Sequence, residues 1–157
     1  MIRSIFLSVL LALVSCSNYS KLLSSERAEL ARVAQSNMSP AQKLDALLAS
    51  SARVMDAALQ PIDPVKGGKL IEQYYEENEA SMEAIARSVG RDFEKMNIID
   101  QGVFAVEALK SPNAKKFVEL YPKFKKKYNQ VKTVARFTGF FGRALGKLGK
   151  LGVLLGL

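Results

Sequence analysis

A capping residue followed at once by proline occurs three times in the chain and restricts it to a largely helical fold. The three pairs are Ser39-Pro40, Asp63-Pro64 and Ser111-Pro112. A serine or aspartate side chain accepts a hydrogen bond from a free amide of the first helical turn, and proline suits that turn because no amide proton is needed there. Each pair therefore predicts the start of a helix.

The apolar residues between these starts recur at helical spacing, and strand patterns are nearly absent. Five helices are predicted, at about 26–35, 40–59, 69–89, 92–109 and 112–121. The third is expected to become regular only near Lys69, after the cap at Asp63, because Gly67-Gly68 disfavours helix there. Pro122 is expected to break or kink the chain, because proline lacks an amide proton and clashes with the preceding turn. A long basic helix is expected to follow it. The predicted fold class is all-α: a small helical bundle of about five helices with a basic, glycine-rich, amphipathic C-terminal helix.

The residue types that are missing exclude several kinds of chemistry. The 157 residues include no histidine and one cysteine, which excludes histidine-based triads, multi-thiolate zinc sites and internal disulfides. No nucleophile elbow, dinucleotide fingerprint or phosphate-binding loop motif is present. We therefore expect one domain with no catalytic residues, no metal and no cofactor.

The N terminus has the shape of a secretory signal. One cation and an almost uninterrupted apolar run over residues 4–14 lead to Leu13-Val14-Ser15-Cys16, which contains the only cysteine. The run is too short to cross a bilayer, which takes about 20 apolar residues. The segment Leu13-Val14-Ser15-Cys16 resembles the lipobox of bacterial lipoproteins.

That resemblance implies processing and a location. The signal peptide would be cut before Cys16, whose thiol would take a diacylglyceryl group and whose new amino group would take a further acyl chain such as palmitate. The implied location is the bacterial cell envelope, with the outer membrane favoured in a Gram-negative cell because Ser17 follows the cysteine. The expected divisions are a signal peptide at 1–15, a lipidated cysteine and short tether at 16–25, a helical bundle at 26–121 and the basic C-terminal helix at 122–157.

Positive charge is concentrated in the last third of the chain. Residues 1–109 hold 11 basic and 14 acidic side chains, whereas residues 110–157 hold 12 basic side chains and one glutamate. Cations, apolar residues and glycines of residues 137–157 sort onto three faces of a helix, a pattern that resembles cationic amphipathic membrane peptides. The residues predicted to contact an anionic membrane or a membrane protein are Lys132, Arg136, Phe140, Phe141, Arg143, Lys147 and Lys150. The glycines predicted to form a close-packing face are Gly139, Gly142, Gly146 and Gly149.

Three placements of residues 137–157 stay open: a helix that contacts a membrane or a partner, a helix docked on the bundle, and a flexible tail. Three cations would cost about 7.5 to 10.5 kcal/mol in a membrane span, more than the apolar residues return, so a membrane-bound helix is expected to lie in the plane of the interface. Alternatively, the helix docks on the bundle and its apolar face is core. A stripe of four glutamates on the third helix is expected to be a solvated face. These glutamates are Glu72, Glu76, Glu79 and Glu83.

These patterns predict an envelope lipoprotein that acts as a binding or scaffolding module. Its expected partners are the lipid bilayer, through acylated Cys16, and an anionic lipid or membrane protein, through the C-terminal helix; no nucleic acid partner is expected. One alternative is a membrane-perturbing protein, similar to toxins or lysis factors, in which the glutamate stripe masks the C-terminal helix. A second alternative is an enzyme that acts through carboxylates on an envelope substrate.

Overall fold

The structure, a computed structural model, describes residues 2–61, 63–149, 151–152 and 155, and gives only the backbone for residues 2–17. Six α-helices occur in these residues, and no strand occurs among them. The helices are α1 (Ile2–Ala34), α2 (Pro40–Leu59), α3 (Pro64–Lys95), α4 (Ile98–Lys110), α5 (Pro112–Lys127) and α6 (Lys132–Gly146). The all-α prediction is confirmed, with six helices where about five were expected.

The three predicted caps begin α2, α3 and α5. The Ser39 hydroxyl accepts from the Gln42 amide at 3.2 Å while the Ser39 amide donates to the Gln42 side chain at 3.0 Å, which is a reciprocal capping box. Asp63 and Ser111 accept hydrogen bonds from first-turn amides in the same manner. Local chemistry therefore sets the start of each of these helices.

The boundary between the third and fourth helices differs from the prediction. α3 begins at Pro64 rather than near residue 69, and it continues past Gly90 to Lys95. A glycine inside a helix costs only about 1 kcal/mol relative to alanine, which the packing of a long helix readily offsets. α4 accordingly begins at Ile98, with Asn97 as its cap, instead of near residue 92.

The expected tether at residues 16–25 is wrong, because α1 runs without a break from Ile2 to Ala34. Leu23 is 5% exposed and belongs to the same buried cluster as Leu30 and Val33. These three residues lie on one helical face. Their packing outweighs the preference of the neighbouring serines for caps and turns.

Pro122 lies inside α5 and does not end the helix. A proline in a helix interior costs about 3 kcal/mol. Phe117, Tyr121 and Phe124 of the same helix are at most 5% exposed, and burial of one such side chain contributes about 1.5–3 kcal/mol. Burial on both sides of the proline therefore offsets its cost, and the helix continues to Lys127.

The single helix expected over residues 122–157 is also wrong. The chain leaves α5, turns through residues 128–131 and enters α6, which ends at Gly146. The side chain of Tyr128 is 1% exposed, and its hydroxyl donates to the Ala58 carbonyl at 2.5 Å. This buried contact fixes the turn against the end of α2, so one continuous helix does not form.

The long helices run alternately up and down. α3 and α6 run away from the end of the bundle at which α2 and α5 finish, since Tyr128 contacts Ala58 there and Val131 lies beside Gly68. α1 runs in the same direction as α3, since Tyr19 and Leu23 line one groove with Lys66 and Leu70. α4 lies at the opposite end, between the end of α3 and the start of α5. Four apolar side chains of α4 are 52–86% exposed. They are Ile98, Ile99, Val103 and Val106.

Aromatic side chains of α3, α5 and α6 form the centre of the core. The ring centroid of Phe137 lies 5.2–6.2 Å from those of Tyr74, Tyr75, Phe124 and Phe141. Edge-to-face ring pairs of this kind add about 0.5–1.5 kcal/mol each to the burial itself. The apolar face of α6 is therefore an integral part of the bundle.

Candidate functional site

One end of the bundle carries a concentration of lysines. It comprises residues 18–24, 58–61, 63–70, 124–128 and 131–135, and we call it the lysine-rich end. Its cations are Lys21, Lys66, Lys69, Lys125, Lys126, Lys127 and Lys132, and its one carboxylate is Asp63. Every lysine of this set except Lys127 is exposed. The surface is therefore strongly positive.

Lys127 holds the helices together at this end. Its ammonium group donates to the carbonyls of Leu59 and Pro61, at 3.3 and 2.6 Å, and lies 5.5 Å from the ring centroid of Tyr128. A cation that binds the last carbonyls of a helix stabilises the C-terminal end of the helix dipole. The other six lysines project from a surface that this contact helps to fix.

Cys16 lies in α1, just before the lysine-rich end, and its side chain is outside the described residues. Tyr19 already packs against the core, and Leu23 is buried. Seven residues of α-helix cover about 10 Å. A lipid on Cys16 would therefore hold the lysine-rich end close to the bilayer surface.

A second group of cations lines an open cleft of about 850 Å³ between α3 and α6. We call it the basic cleft. Its charged lining consists of Lys43, Arg87, Arg91, Arg143, Lys147, Glu83 and Glu94. The five cations exceed the two carboxylates, so the cleft has a net positive charge.

Lys43 lies at the edge of this cleft and is only 8% exposed. Its ammonium group donates to the Ser88 hydroxyl at 2.9 Å. Among the described residues, no carboxylate lies within the 4.0 Å ion-pair distance of Lys43. A buried cation whose partner is neutral is energetically costly in the free protein.

The cations predicted from the sequence occupy several different surroundings. Lys132 belongs to the lysine-rich end, and Lys147 lies exposed in the basic cleft just after α6. Arg136 donates twice to the Glu79 carboxylate, at 3.0 and 3.2 Å, and its guanidinium lies 5.3 Å from the ring centroid of Tyr75. Lys150 falls outside the described residues.

The two aromatic residues predicted to contact a membrane are core residues. Phe140 is 1% exposed and Phe141 is 0% exposed. Their ring centroids lie 5.0 Å apart, and Phe141 also contacts Phe117 of α5 at 4.8 Å. The prediction that they contact a membrane is therefore corrected for the folded protein, because both rings are already buried against neighbouring helices.

The close-packing role predicted for four glycines is wrong. A Cβ atom added at Gly142, Gly146 or Gly149 would meet no described atom within 4 Å, and one at Gly139 would meet only the flexible Arg143 side chain, at 3.5 Å. Gly149 has a φ of 62°, a left-handed conformation that favours glycine. The glycines face outward because the apolar face of α6 turns toward the core.

The glutamate stripe of α3 pairs in part with α6. Glu79 binds Arg136, and the Glu83 carboxylate lies 3.7 Å from the Arg143 guanidinium. The side chains of these four residues are 38–67% exposed, so each pair contributes at most about 1 kcal/mol. The stripe was expected to be a solvated face. Two of its four glutamates, Glu79 and Glu83, instead face the cations of α6.

Sequence reasoning missed Lys43, Arg87 and Arg91 as a group. Lys43 is in helical register with Leu47 and Val54, which face the core. A lysine on an apolar face is a detectable signal, but its meeting with arginines 44 and 48 residues further along the chain depends on the tertiary fold.

No group of three or more metal-ligating residues occurs within the part of the chain that the structure describes. Over the same residues, no helix combines the length and the hydropathy of a membrane span.

In comparisons with known proteins, the chain matches no family model and is significantly similar to neither a curated protein nor a solved structure. The functional interpretation therefore depends on the surfaces described above.

Proposed function

We propose that this protein is a lipid-anchored lipoprotein of the bacterial cell envelope that acts as a binding or scaffolding module rather than as an enzyme. Cys16 carries the lipid, and the lysine-rich end rests on anionic headgroups of the same membrane. One observation carries the proposal: the segment that resembles a lipobox and the lysine-rich end lie at the same end of the bundle.

Electrostatics and acylation support each other in this arrangement. A lysine held near an anionic membrane surface contributes about 1 kcal/mol to binding, and salt screens the attraction. Acyl chains keep the lysines at a high local concentration of headgroups, so even a weak contact forms. The protein then has a defined orientation, with α4 facing away from the membrane that holds it.

The proposed contact differs from the one predicted from the sequence. An in-plane amphipathic helix needs a free apolar face, and the apolar face of α6 is buried in the bundle. Of the six residues predicted to contact a membrane that the structure describes, only Lys132 belongs to the lysine-rich end. The proposed contact is therefore made by exposed cations from several helices and leaves the core intact.

Acylation is tested by labelling bacterial cells with radioactive palmitate. The wild-type protein should incorporate the label and fractionate with membranes. A Cys16→Ala variant should incorporate none, because both proposed acylation sites, the thiol and the new amino group, belong to the one cysteine of the chain. Equal labelling of the two proteins would contradict the anchor.

The orientation is tested by lysine acetylation of the acylated protein in vesicles, read by mass spectrometry. In vesicles that contain phosphatidylglycerol, Lys66, Lys69 and Lys126 should be protected several-fold relative to vesicles of phosphatidylcholine alone. Lys115 and Lys116 are exposed at the start of α5, at the opposite end, and serve as internal controls that should react equally in both. Protection of the control pair, or of neither set, would contradict the proposed contact.

Membrane perturbation is a second candidate function, in which α6 would leave the bundle and disrupt a bilayer. The ion pairs of Arg136 with Glu79 and of Arg143 with Glu83 favour it, because they would hold α6 against the glutamate stripe until release. Release of α6 would expose Phe137, Phe140 and Phe141, at about 1.5–3 kcal/mol each. The free-energy cost of exposing these three rings exceeds the at most about 1 kcal/mol that each of the two exposed ion pairs contributes, so breaking the pairs is not enough to release α6. We therefore expect the folded protein to cause no dye leakage from phosphatidylglycerol vesicles; leakage at low protein-to-lipid ratio would favour this second function.

A further inference from the structure

The basic cleft brings two like-charged pairs and a buried lysine together, far from the lysine-rich end. Arg87 and Arg91 are four residues apart on α3, and Arg143 and Lys147 are four residues apart at the end of α6. Like charges at this spacing repel each other along a helix. Both pairs line the same cleft, so the repulsion also acts between helices.

The carboxylates of the cleft leave most of this charge without compensation. Glu83 lies 3.7 Å from Arg143. Among the described residues, no carboxylate lies within 4.0 Å of the charged groups of Arg87, Arg91 or Lys147. Lys43, held by the Ser88 hydroxyl, adds a cation that is largely removed from water. A bound anion would lower both the repulsion and the desolvation cost.

We propose that the basic cleft binds a soluble phosphorylated solute. Guanidinium groups match the geometry of phosphate oxygens and bind them through paired hydrogen bonds, while lysine acts as a point charge. The volume of about 850 Å³ falls within the usual range of small-molecule sites, about 300–1,000 Å³. A group with two negative charges compensates more of this surplus than a single carboxylate does.

The position of the cleft favours a solute over the headgroups of the anchoring membrane. Arg87 lies 20 residues beyond Gly67 along α3, which corresponds to about 30 Å. Lipid phosphates at the lysine-rich end are therefore out of reach of the cleft. The inference does not depend on acylation of Cys16, so it can fail or succeed separately from the proposed function.

Calorimetric titration of the purified protein with inorganic pyrophosphate, in a non-ionic detergent, tests the proposal. The wild type should bind pyrophosphate saturably, and chloride at matched ionic strength should not reproduce the heat. An Arg87→Gln/Arg91→Gln variant should lose about tenfold or more in affinity, because it removes two charge-assisted contacts. Both side chains line an open cleft, so the variant should fold normally, which circular dichroism checks.

The control is Lys115→Gln/Lys116→Gln, which removes the same net charge from exposed positions outside the cleft. It should bind pyrophosphate within about twofold of the wild type, since distant exposed charges are screened. Lys43→Met keeps a long unbranched side chain but removes the charge. It should also weaken the binding of pyrophosphate, which provides a second, independent test of the cleft.

Three results would overturn the proposal. The first is no saturable binding of pyrophosphate by the wild type. The second is an equal loss of affinity in the control variant, which would indicate attraction by net charge alone. The third is flotation with phosphatidylglycerol vesicles that depends on Arg87 and Arg91 without any binding of pyrophosphate, which would assign the cleft to lipid headgroups.

Discussion

Substitution of Gly67 by alanine tests the packing that creates the lysine-rich end. Gly67 lies in the first turns of α3, where the chain passes close to α2 and to the end of α5. A Cβ atom at this position would lie 1.8 Å from the Tyr128 hydroxyl oxygen and 2.4 Å from the Ala58 carbonyl oxygen. Both distances are far below van der Waals contact, so Tyr128 must move and its hydrogen bond to Ala58 must break or lengthen. The backbones of α2 and α3 must also separate, because the Ala58 oxygen belongs to the main chain.

The expected effect follows from three contributions. Overpacking in a core costs about 1–3 kcal/mol, and a lost hydrogen bond costs about 1 kcal/mol. Alanine returns about 1 kcal/mol through its higher helix propensity. Gly67→Ala should therefore lower the free energy of unfolding by about 1–3 kcal/mol.

Urea denaturation followed by far-ultraviolet circular dichroism measures this change. The matched control is Gly142→Ala on the exposed side of α6, where no described atom lies within 4 Å of the new Cβ. This control should gain up to about 1 kcal/mol. If Gly67→Ala proved as stable as Gly142→Ala, then α5 does not close on α3 as described, and the lysine-rich end would lose its basis.

Two further predictions concern the buried polar groups of the core. Burial raises the pKa of Tyr74, whose hydroxyl bonds to Ser50 at 2.8 Å, to about 12. Because the folded protein favours the protonated form of Tyr74, this stabilisation is complete below pH 10, the ordinary pKa of tyrosine, and is lost as the pH rises toward 12. In pH-dependent denaturation, Tyr74→Phe should therefore lose about 3 kcal/mol less stability at alkaline pH than the wild type. Equal alkaline losses in the two proteins would refute the burial of Tyr74. Glu26, 2% exposed, accepts two hydrogen bonds from Arg53 at 2.6 and 2.9 Å, so Glu26→Gln should cost about 1.5–3 kcal/mol. Glu119→Gln, at an exposed pair, should stay within about 1 kcal/mol of the wild type in the same urea assay, and similar losses for the two variants would contradict the difference in burial.

Local chemistry was sufficient to predict where α2 and α5 begin, and it marked Asp63 as a cap although the regular start of α3 was placed near residue 69. Ser39, Asp63 and Ser111 each cap a helix whose next residue is proline, and no distant contact is needed for that signal. Helix ends were harder to predict. Pro122 and Gly90 are ordinary stop signals that packing of aromatic and aliphatic neighbours overrides, and this packing depends on residues far away in sequence.

The candidate site was predictable only in part. The lipobox resemblance at Cys16 and the excess of lysine after residue 109 are properties of the sequence itself. The convergence of five segments on one end depends on helix directions, and the basic cleft depends on Lys43 meeting Arg87 across two helices. The outward position of Gly142 could not be inferred, because helical periodicity sorts residues into faces without indicating which face is buried.

The orientation of the bundle on the membrane is tested most directly by a single introduced fluorophore. The chain contains no tryptophan, so one substitution provides a unique probe of depth. Val65, 61% exposed, lies at the lysine-rich end, and Ile99, 73% exposed, lies on α4 at the opposite end, about 45 Å away along α3. In the acylated protein on phosphatidylglycerol vesicles with brominated acyl chains, we expect strong quenching of Val65→Trp and almost none of Ile99→Trp. Quenching of Ile99→Trp with Val65→Trp unaffected would contradict the account and would place the exposed apolar face of α4 against the bilayer.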